Sequence, residues 1–422
     1  MPERRQLNGW KEISEYFQVS TKAAINWEQS LGMPVHRMPG KKGRVWAFAD
    51  ELDAWKRQAP DETEAPYEII APVQNPLRSR RLAVLLAFVL VLSVAVGLWA
   101  SKHYFMKSRP VVSFKFGLKT LSALDGEGRT VWEYEFQKPF RPPEAEHLAR
   151  SASTFDLDGN GLPEVLFRYI PVEEHGEVAR WTLYCFSPEG KVRWQFIPGR
   201  AVTDGAGQFE PPYFINNFQV IPDRRSEGPW IAVSSNHYLS HPDQVAILDR
   251  DGKMVGEYWH SGHLTAMTHA DLDGDGIDEL LLGGVDNGLF QAVLLVFDPR
   301  KVSGANHYAS DNTYQLQGFS AGSEKAVVMF PQSDINVQEH FSQIFSLRTT
   351  PDRILASVTE SRLASNLNIV YYELDYHLGI AHMERSPQLV MAHDELRKKG
   401  VLNHPWNDSE LLALKQAVAV KR

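Results

Sequence analysis

Cysteine is almost missing: Cys185 is the only one in 422 residues. No intramolecular disulfide can form and no paired-cysteine metal motif exists, so an exported domain would have to hold together by core packing, by metal, or by both. Also lacking are a G-x-S-x-G elbow and a Gly-rich phosphate loop. Nothing nominates a catalytic centre, and the expectation is a protein that is not an enzyme. His237, His241, His260, His263 and His269 crowd one stretch, but without the i, i+4 helical setting of a zinc protease they are not read as a metal site.

Charge of either sign is missing from Leu82–Ala100, LAVLLAFVLVLSVAVGLWA. At about 1.5 Å of rise per residue, some twenty apolar residues cross a ~30 Å hydrocarbon layer, so the run predicts one transmembrane helix over 82–101. Arg78, Arg80 and Arg81 precede it, and Trp99, Lys102, His103 and Tyr104 follow it as interfacial anchors. It begins too far into the chain for a signal peptide. Lys102, Lys107 and Arg109 balance the arginines before it, so the flanking charge does not orient the span. Elsewhere the composition, 43% hydrophobic and 23% charged, is that of globular domains. Residues 1–59 carry a net charge of +3 and the remainder −11, which suggests different partners for the two ends.

Within the basic head (1–58), Trp10, Ile13 and Phe17 make one apolar stripe of a short helix. Ser20 caps a second helix, Thr21–Leu31, with Ala24, Trp27 and Leu31 turned inward and Gly32 closing it. Two helices joined by three residues form a helix-turn-helix, which aims Thr21, Lys22 and Asn26 at a major groove. Two β-prone arms over 34–48 then enclose the tip Gly40-Lys41-Lys42-Gly43, and Asp50 can cap a last helix, Glu51–Arg57. The order W-K-E-I-x-x-Y-x-x-V-S, W-E, G-x-P-V-H-R, E-L-D-A-W over residues 7–57 resembles the winged helix-turn-helix domains of the MerR/excisionase group. That resemblance implies binding of double-stranded DNA through the second helix and a wing carrying Arg37, Lys41, Lys42 and Arg44. The second helix has Lys22 as its one cation, which favours a homodimer or paired sites. Residues 59–81, with four prolines among acidic side chains, read as an extended tether.

Residues 110–385 are rich in β-branched and aromatic side chains, and a strand, polar turn and second strand recur at 121–132, 183–194, 245–256 and, degenerately, 294–301. Gly126, Gly190 and Gly252 mark a period near sixty, the length of one four-stranded propeller blade. Between these hairpins lie Asp156-Leu-Asp158-Gly-Asn160-Gly-Leu162-Pro-Glu164 and Asp271-Leu-Asp273-Gly-Asp275-Gly-Ile277-Asp-Glu279. Oxygen side chains at positions 1, 3, 5 and 9, with the backbone carbonyls of Leu162 and Ile277 at position 7, suit a hard cation. An EF-hand needs a bidentate Glu at position 12, where Phe167 and Leu282 stand instead. The pattern resembles the calcium loops of FG-GAP/VCBS propellers, related to the integrin α-subunit head, and implies calcium as cofactor. Residues 386–422 read as a helical tail, with an Asn407/Glu410 capping box opening its second helix.

The expected fold class is therefore multidomain: a small α+β winged helix-turn-helix, one transmembrane α-helix and an all-β propeller. The matching function is a membrane-anchored one-component transcription regulator in a bacterial inner membrane. Its N-terminus would be cytoplasmic, and its extracytoplasmic propeller would sense a ligand or a protein. The rival is an adhesion or scaffold propeller whose head binds protein rather than DNA.

Overall fold

The computed structural model describes residues 4–37, 44–58, 109–143, 151–173, 178–224, 228–239, 241–307, 312–337, 339–361 and 367–422. They belong to two compact units, Met1–Val94 and Ala95–Arg422.

In the first unit the order is β1 (Gln6–Asn8), α1 (Gly9–Tyr16), α2 (Thr21–Leu31), β2 (His36–Arg37), β3 (Val45–Phe48) and α3 (Ala49–Gln58). The strands form one antiparallel sheet in the order β1-β3-β2. Ser20 Oγ accepts the Ala23 N–H at 3.2 Å, and Gly32 leaves α2 in the left-handed region at φ 65°. Ile13, Ala24, Met33, Ala47 and Leu52 make the buried core. Leu31, expected to face inward, is 60% exposed. The turn at Gly32 brings the Met33 N–H back to the Trp27 carbonyl, and Met33 fills that end of the core instead.

The second unit is built from antiparallel meanders. Sheet one is β4 (Ser113–Phe116), β5 (Thr120–Leu124) and β6 (Thr130–Glu135); sheet two is β7 (Ala152–Phe155), β8 (Glu164–Tyr169), β9 (Thr182–Phe186) and β10 (Val192–Phe196). A two-stranded ribbon, β11 (Val202–Thr203) and β12 (Gln208–Phe209), leads to sheet three: β13 (Tyr213–Ile221), β14 (Trp230–His237), β15 (Asp243–Leu248) and β16 (Met254–His260). Sheet four is β17 (Gly262–Ala270), β18 (Glu279–Asp286) and β19 (Gln291–Phe297). After β20 (Ser303–Ala305), which pairs with β16, it continues with β21 (Ala326–Phe330). Sheet five is β22 (Gln343–Thr349), β23 (Ile354–Thr359), β24 (Ile369–Leu374) and β25 (Ile380–Arg385). The chain ends in α4 (Pro387–Lys398), α5 (Ser409–Ala417) and β26 (Ala419–Lys421), which pairs with β21 as the last strand of sheet four.

Consecutive sheets pack face to face. Leu121 and Trp132 of sheet one meet Phe167 and Phe186 of sheet two, whose Leu166 and Leu183 meet Val233 and Ala246 of sheet three. Val245 and Tyr258 of sheet three meet Leu282 and Phe297 of sheet four, whose Leu281 and Val328 meet Ile344 and Tyr372 of sheet five. A sheet covered on both sides needs apolar residues at successive positions, and every residue of β18 is buried. The end sheets keep one face in solvent and alternate, as β4 does. The result is a propeller-like succession of five sheets.

The hairpin repeat has a sharper register than the glycine spacing suggests. Asp125, Ser187, Asp249, Asp298 and Asp375 each open the turn between the last two strands or follow-on turn of a sheet, and the backbone N–H three residues on returns to their carbonyls. The residues in that third place are Gly128, Gly190, Gly252, Lys301 and Leu378. Gly128, not Gly126, is thus the first marker, and both early steps are 62 residues (190 − 128, 252 − 190). Leu378 takes a positive φ of 64° in the fifth turn without being glycine, which is why composition hid that copy.

The expected three-part fold class is overturned. Among the described residues no helix is long and apolar enough to cross a membrane, and the longest, α4, has 12 residues. The run 82–101 lies outside the described residues, as do the whole tether and the tip residues Lys41 and Lys42. Among the described residues the chain is instead mostly β, with five α-helices accompanying the sheets. The second unit is not all-β either, since Leu389 of α4 and Leu414 of α5 belong to the core between sheets four and five. The capping box also fails: α5 starts at Ser409 with Asp408 before it, Asn407 accepts from Ser409, and the Glu410 carboxylate turns to His404 at 3.3 Å.

Candidate functional site

The two acidic loops occupy the same place in two sheets, joining β7 to β8 and β17 to β18. Each loop folds around its own carboxylates. In the first, Asp156 accepts the Asn160 and Gly161 N–H groups at 3.1 and 2.8 Å, and Asn160 accepts from Leu162 at 2.7 Å. In the second, Asp271 accepts from Gly276 at 2.9 Å, Asp273 from Asp275 at 3.1 Å and Asp275 from Ile277 at 2.8 Å. Gly159, Gly161, Gly274 and Gly276 all adopt positive φ, which bends the backbone inward around the carboxylates.

At position 9 the two loops share a device that the sequence did not reveal. Glu164 and Glu279 are almost fully buried, at 1% and 3% exposure. One oxygen of each accepts from its loop, from the Leu157 and Leu272 N–H groups at 3.0 and 2.9 Å. The other meets a cation from the fourth strand of its sheet: Arg193 at 2.5 Å from Glu164 and Lys325, just before β21, at 2.5 Å from Glu279. Each cation also faces the position 3 carboxylate, Arg193 at 3.6 Å from Asp158 and Lys325 at 2.8 Å from Asp273. Burial pushes the Glu279 carboxyl above its ordinary range although Lys325 pulls it down, while the Lys325 hydrogen bond holds Asp273 below its own.

Asp156, Asp158 and Glu164 bring one oxygen each within 4.8 Å of one another, as do Asp271, Asp273 and Asp275. The fit to a hard cation is better in the second loop. Asp271 Oδ1 is buried there without a hydrogen-bond partner, whereas both oxygens of Asp156 are taken by backbone N–H groups. An all-oxygen donor set with a spare buried carboxylate oxygen suits calcium. Glu279 is held by Lys325 outside the converging trio, and Ile277, expected to offer its carbonyl, pairs its backbone with Asp223. Leu162 is half-buried next to Asn160.

In the first unit Lys22 and Asn26 lie four residues apart on the exposed side of α2, and Thr21 Oγ1 sits 3.4 Å from Ser14 Oγ. Arg37 is occupied: its guanidinium spans both Glu28 oxygens at 2.8 and 2.7 Å and lies over the Trp10 ring. Arg44 is exposed. Of the five histidines noted in the sequence, His237, His260 and His269 bond separate partners, the Glu210 carbonyl, the Val285 carbonyl and Asp278.

No family model matches the chain, and no curated protein matches it in sequence. Among solved structures it is similar to BBS1N in complex with ARL6DN, with 11% identity over 66% of this chain and 69% of that one and a TM-score of 0.35. It is also similar to the Dos1 propeller, with 14% identity over 58% and 71% and a TM-score of 0.26. Rhamnogalacturonan lyase YesW matches at 13% identity over 62% and 50%, with a TM-score of 0.28. None of these scores reaches 0.5, so the sheet order of the chain itself, not these likenesses, defines its fold.

Proposed function

We propose that the chain is a binding protein whose propeller-like unit serves as a scaffold for a protein partner. The observation that carries this reading is the outward face of sheet five. Phe345, Leu367 and Tyr371 are 39%, 48% and 39% exposed there. With Arg348, Leu355, Glu373 and Glu384 they line an open cleft of about 610 Å³. Aromatic and aliphatic anchors beside an arginine, rimmed by carboxylates, have the composition of a protein interface core. The outward face of sheet one is different, with Lys115 and Glu133 exposed on either side of Ser122. A photo-crosslinking residue in place of Tyr371 should capture one discrete partner protein in cells, and Phe345→Asp should abolish the adduct. Equal labelling from position 115, or an adduct with a second copy of this chain alone, would refute the reading. Calcium at Asp271, Asp273 and Asp275 belongs to the same proposal, as the ion that holds the β17–β18 loop of the scaffold.

A second reading concerns the first unit, because α2 presents Lys22 and Asn26 to solvent on one side while Ala24 faces the core. That side suits duplex DNA, with Lys22 and Arg44 on phosphates. Replacing both by Ala should flatten the dependence of log affinity on log salt by roughly 0.9 for each phosphate that the variant leaves unneutralised. An unchanged slope would leave the unit a protein-binding head.

A further inference from the structure

Away from the acidic loops, four side chains from three separate stretches converge. Asp334 lies in the 3-10 turn Asp334–Val337 between β21 and β22, His393 on α4, His404 in the connection that follows, and Glu410 at the start of α5. Asp334 Oδ2 is 3.1 Å from His393 Nε2 and 3.2 Å from His404 Nε2, and His404 Nδ1 is 3.3 Å from Glu410 Oε1. One ligand atom from each of the four lies within 4.8 Å of the other three.

Held by protons alone, this arrangement is poorly satisfied. Both nitrogens of His404 face oxygen acceptors, Asp334 on one side and Glu410 with the Pro405 carbonyl on the other, although a neutral imidazole has one N–H to share between them. Asp334 Oδ1 and His393 Nδ1 are then left buried without partners, in a place where the His393 side chain has no exposed surface at all. Unpaired buried polar atoms are costly and call for an explanation, an ion among them. Two imidazoles and two carboxylates are the donor set of a zinc site, and zinc bonds of about 2.0–2.1 Å in a tetrahedron place neighbouring ligand atoms roughly 3.3 Å apart. Two of the observed separations, those from Asp334 Oδ2 to His393 Nε2 and His404 Nε2 at 3.1 and 3.2 Å, are already close to that value, while Glu410, facing the other nitrogen of His404, has only to stay within the 4.8 Å that encloses all four ligand atoms. His404, 41% exposed, leaves one side open for an ion to enter.

We propose that Asp334, His393, His404 and Glu410 form a four-ligand zinc site that clasps the C-terminal segment onto the turn between sheets four and five. The ion would join α4 and α5 to the loop from which sheet five starts, midway along the segment whose end, β26, adds to sheet four.

The test uses the full chain stripped of metal, with calcium in excess so that the acidic loops do not compete. Calorimetric titration with zinc should find one ion per chain. Bound cobalt should show the intense visible bands of tetrahedral coordination and lose them when zinc is added. His404→Ala is the informative variant, since its ring is 41% exposed and its loss should leave the fold intact; Glu410→Gln is the second. Each should weaken zinc binding at least tenfold, the lower end of what loss of even an outer-shell partner costs, while Asp273→Asn should leave it unchanged. Zinc should also slow backbone hydrogen exchange in α4 and α5 of the parent protein. Absence of zinc uptake, or an affinity equal in the parent, His404→Ala and Glu410→Gln, would overturn the proposal.

Discussion

Replacing Gly252 by Ala should destabilise the second unit by roughly 2–4 kcal/mol, from two additive causes. Gly252 has φ +77°, where an L residue is strained, and a Cβ built there falls 2.4 Å from Trp194 Cδ2. Trp194 cannot simply move away, because its indole N–H donates to the Arg250 carbonyl at 3.0 Å. The contact is part of the repeat itself: the tryptophan ending one hairpin lies on the glycine of the next, and Trp132 covers Gly190 in the same way, with a built Cβ 2.6 Å away. In thermal unfolding the variant should lose roughly 4–12 °C. Gly274→Ala is the control, since Gly274 has a similar φ of +75° and nothing within 4 Å of the added Cβ. It should cost only the backbone strain, about 1–2 kcal/mol. If the two variants melt together, the tryptophan contact between neighbouring sheets contributes nothing. Trp194→Leu in the Gly252→Ala background should recover part of the loss, and a double-mutant cycle measures how much.

Lys325→Met should be the second large effect, and calcium should reverse it. Removing the cation leaves Glu279, 3% exposed, as a buried carboxylate without a counter-charge. Such losses cost about 3–5 kcal/mol in fully buried pairs; with Lys325 itself 38% exposed, about 2–3 kcal/mol is expected here. The same substitution releases Asp273 Oδ2, on which Lys325 now sits at 2.8 Å. Calcium binding to the Asp271 loop should therefore tighten in the variant. In the parent protein, calcium at a hundred times its dissociation constant should add ~2.7 kcal/mol if it binds the folded state alone. The increment should be larger in Lys325→Met, and magnesium should substitute poorly because it keeps its waters. Melting curves of both proteins in calcium, magnesium and chelator decide the matter. Coincident curves within each protein would remove calcium from the proposed function and leave the ion pair as the sole clamp of the loop.

Local chemistry is what the sequence determined by itself. The capped helix Thr21–Leu31, the turns after Leu124, Phe186 and Leu248, and the two Asp-rich loops are all written in residues no more than about five apart. Their hydrogen bonds run between near neighbours, so spacing alone reports them. Alternation and continuous apolar runs likewise distinguish half-exposed end strands from the fully covered strands of the middle sheets. The fifth turn escaped because Leu378 stands in the left-handed place that glycine marks elsewhere. Leu31 was misplaced because the left-handed exit at Gly32 substitutes Met33 for it.

Tertiary structure alone decided which charges meet. Arg193 lies 29 residues from Glu164 and Lys325 46 from Glu279, and each pair exists only because the fourth strand of a meander comes to lie beside the loop after its first. The stacking of Trp132 on Gly190 and of Trp194 on Gly252 depends on neighbouring sheets packing face to face. The meeting of Asp334 with His393 and His404, 59 and 70 residues on (393 − 334, 404 − 334), depends on the C-terminal helices folding back along sheet five. Such contacts follow from the order in which strands are laid down. No local pattern encodes them, because the side chains concerned have no periodic relation to one another.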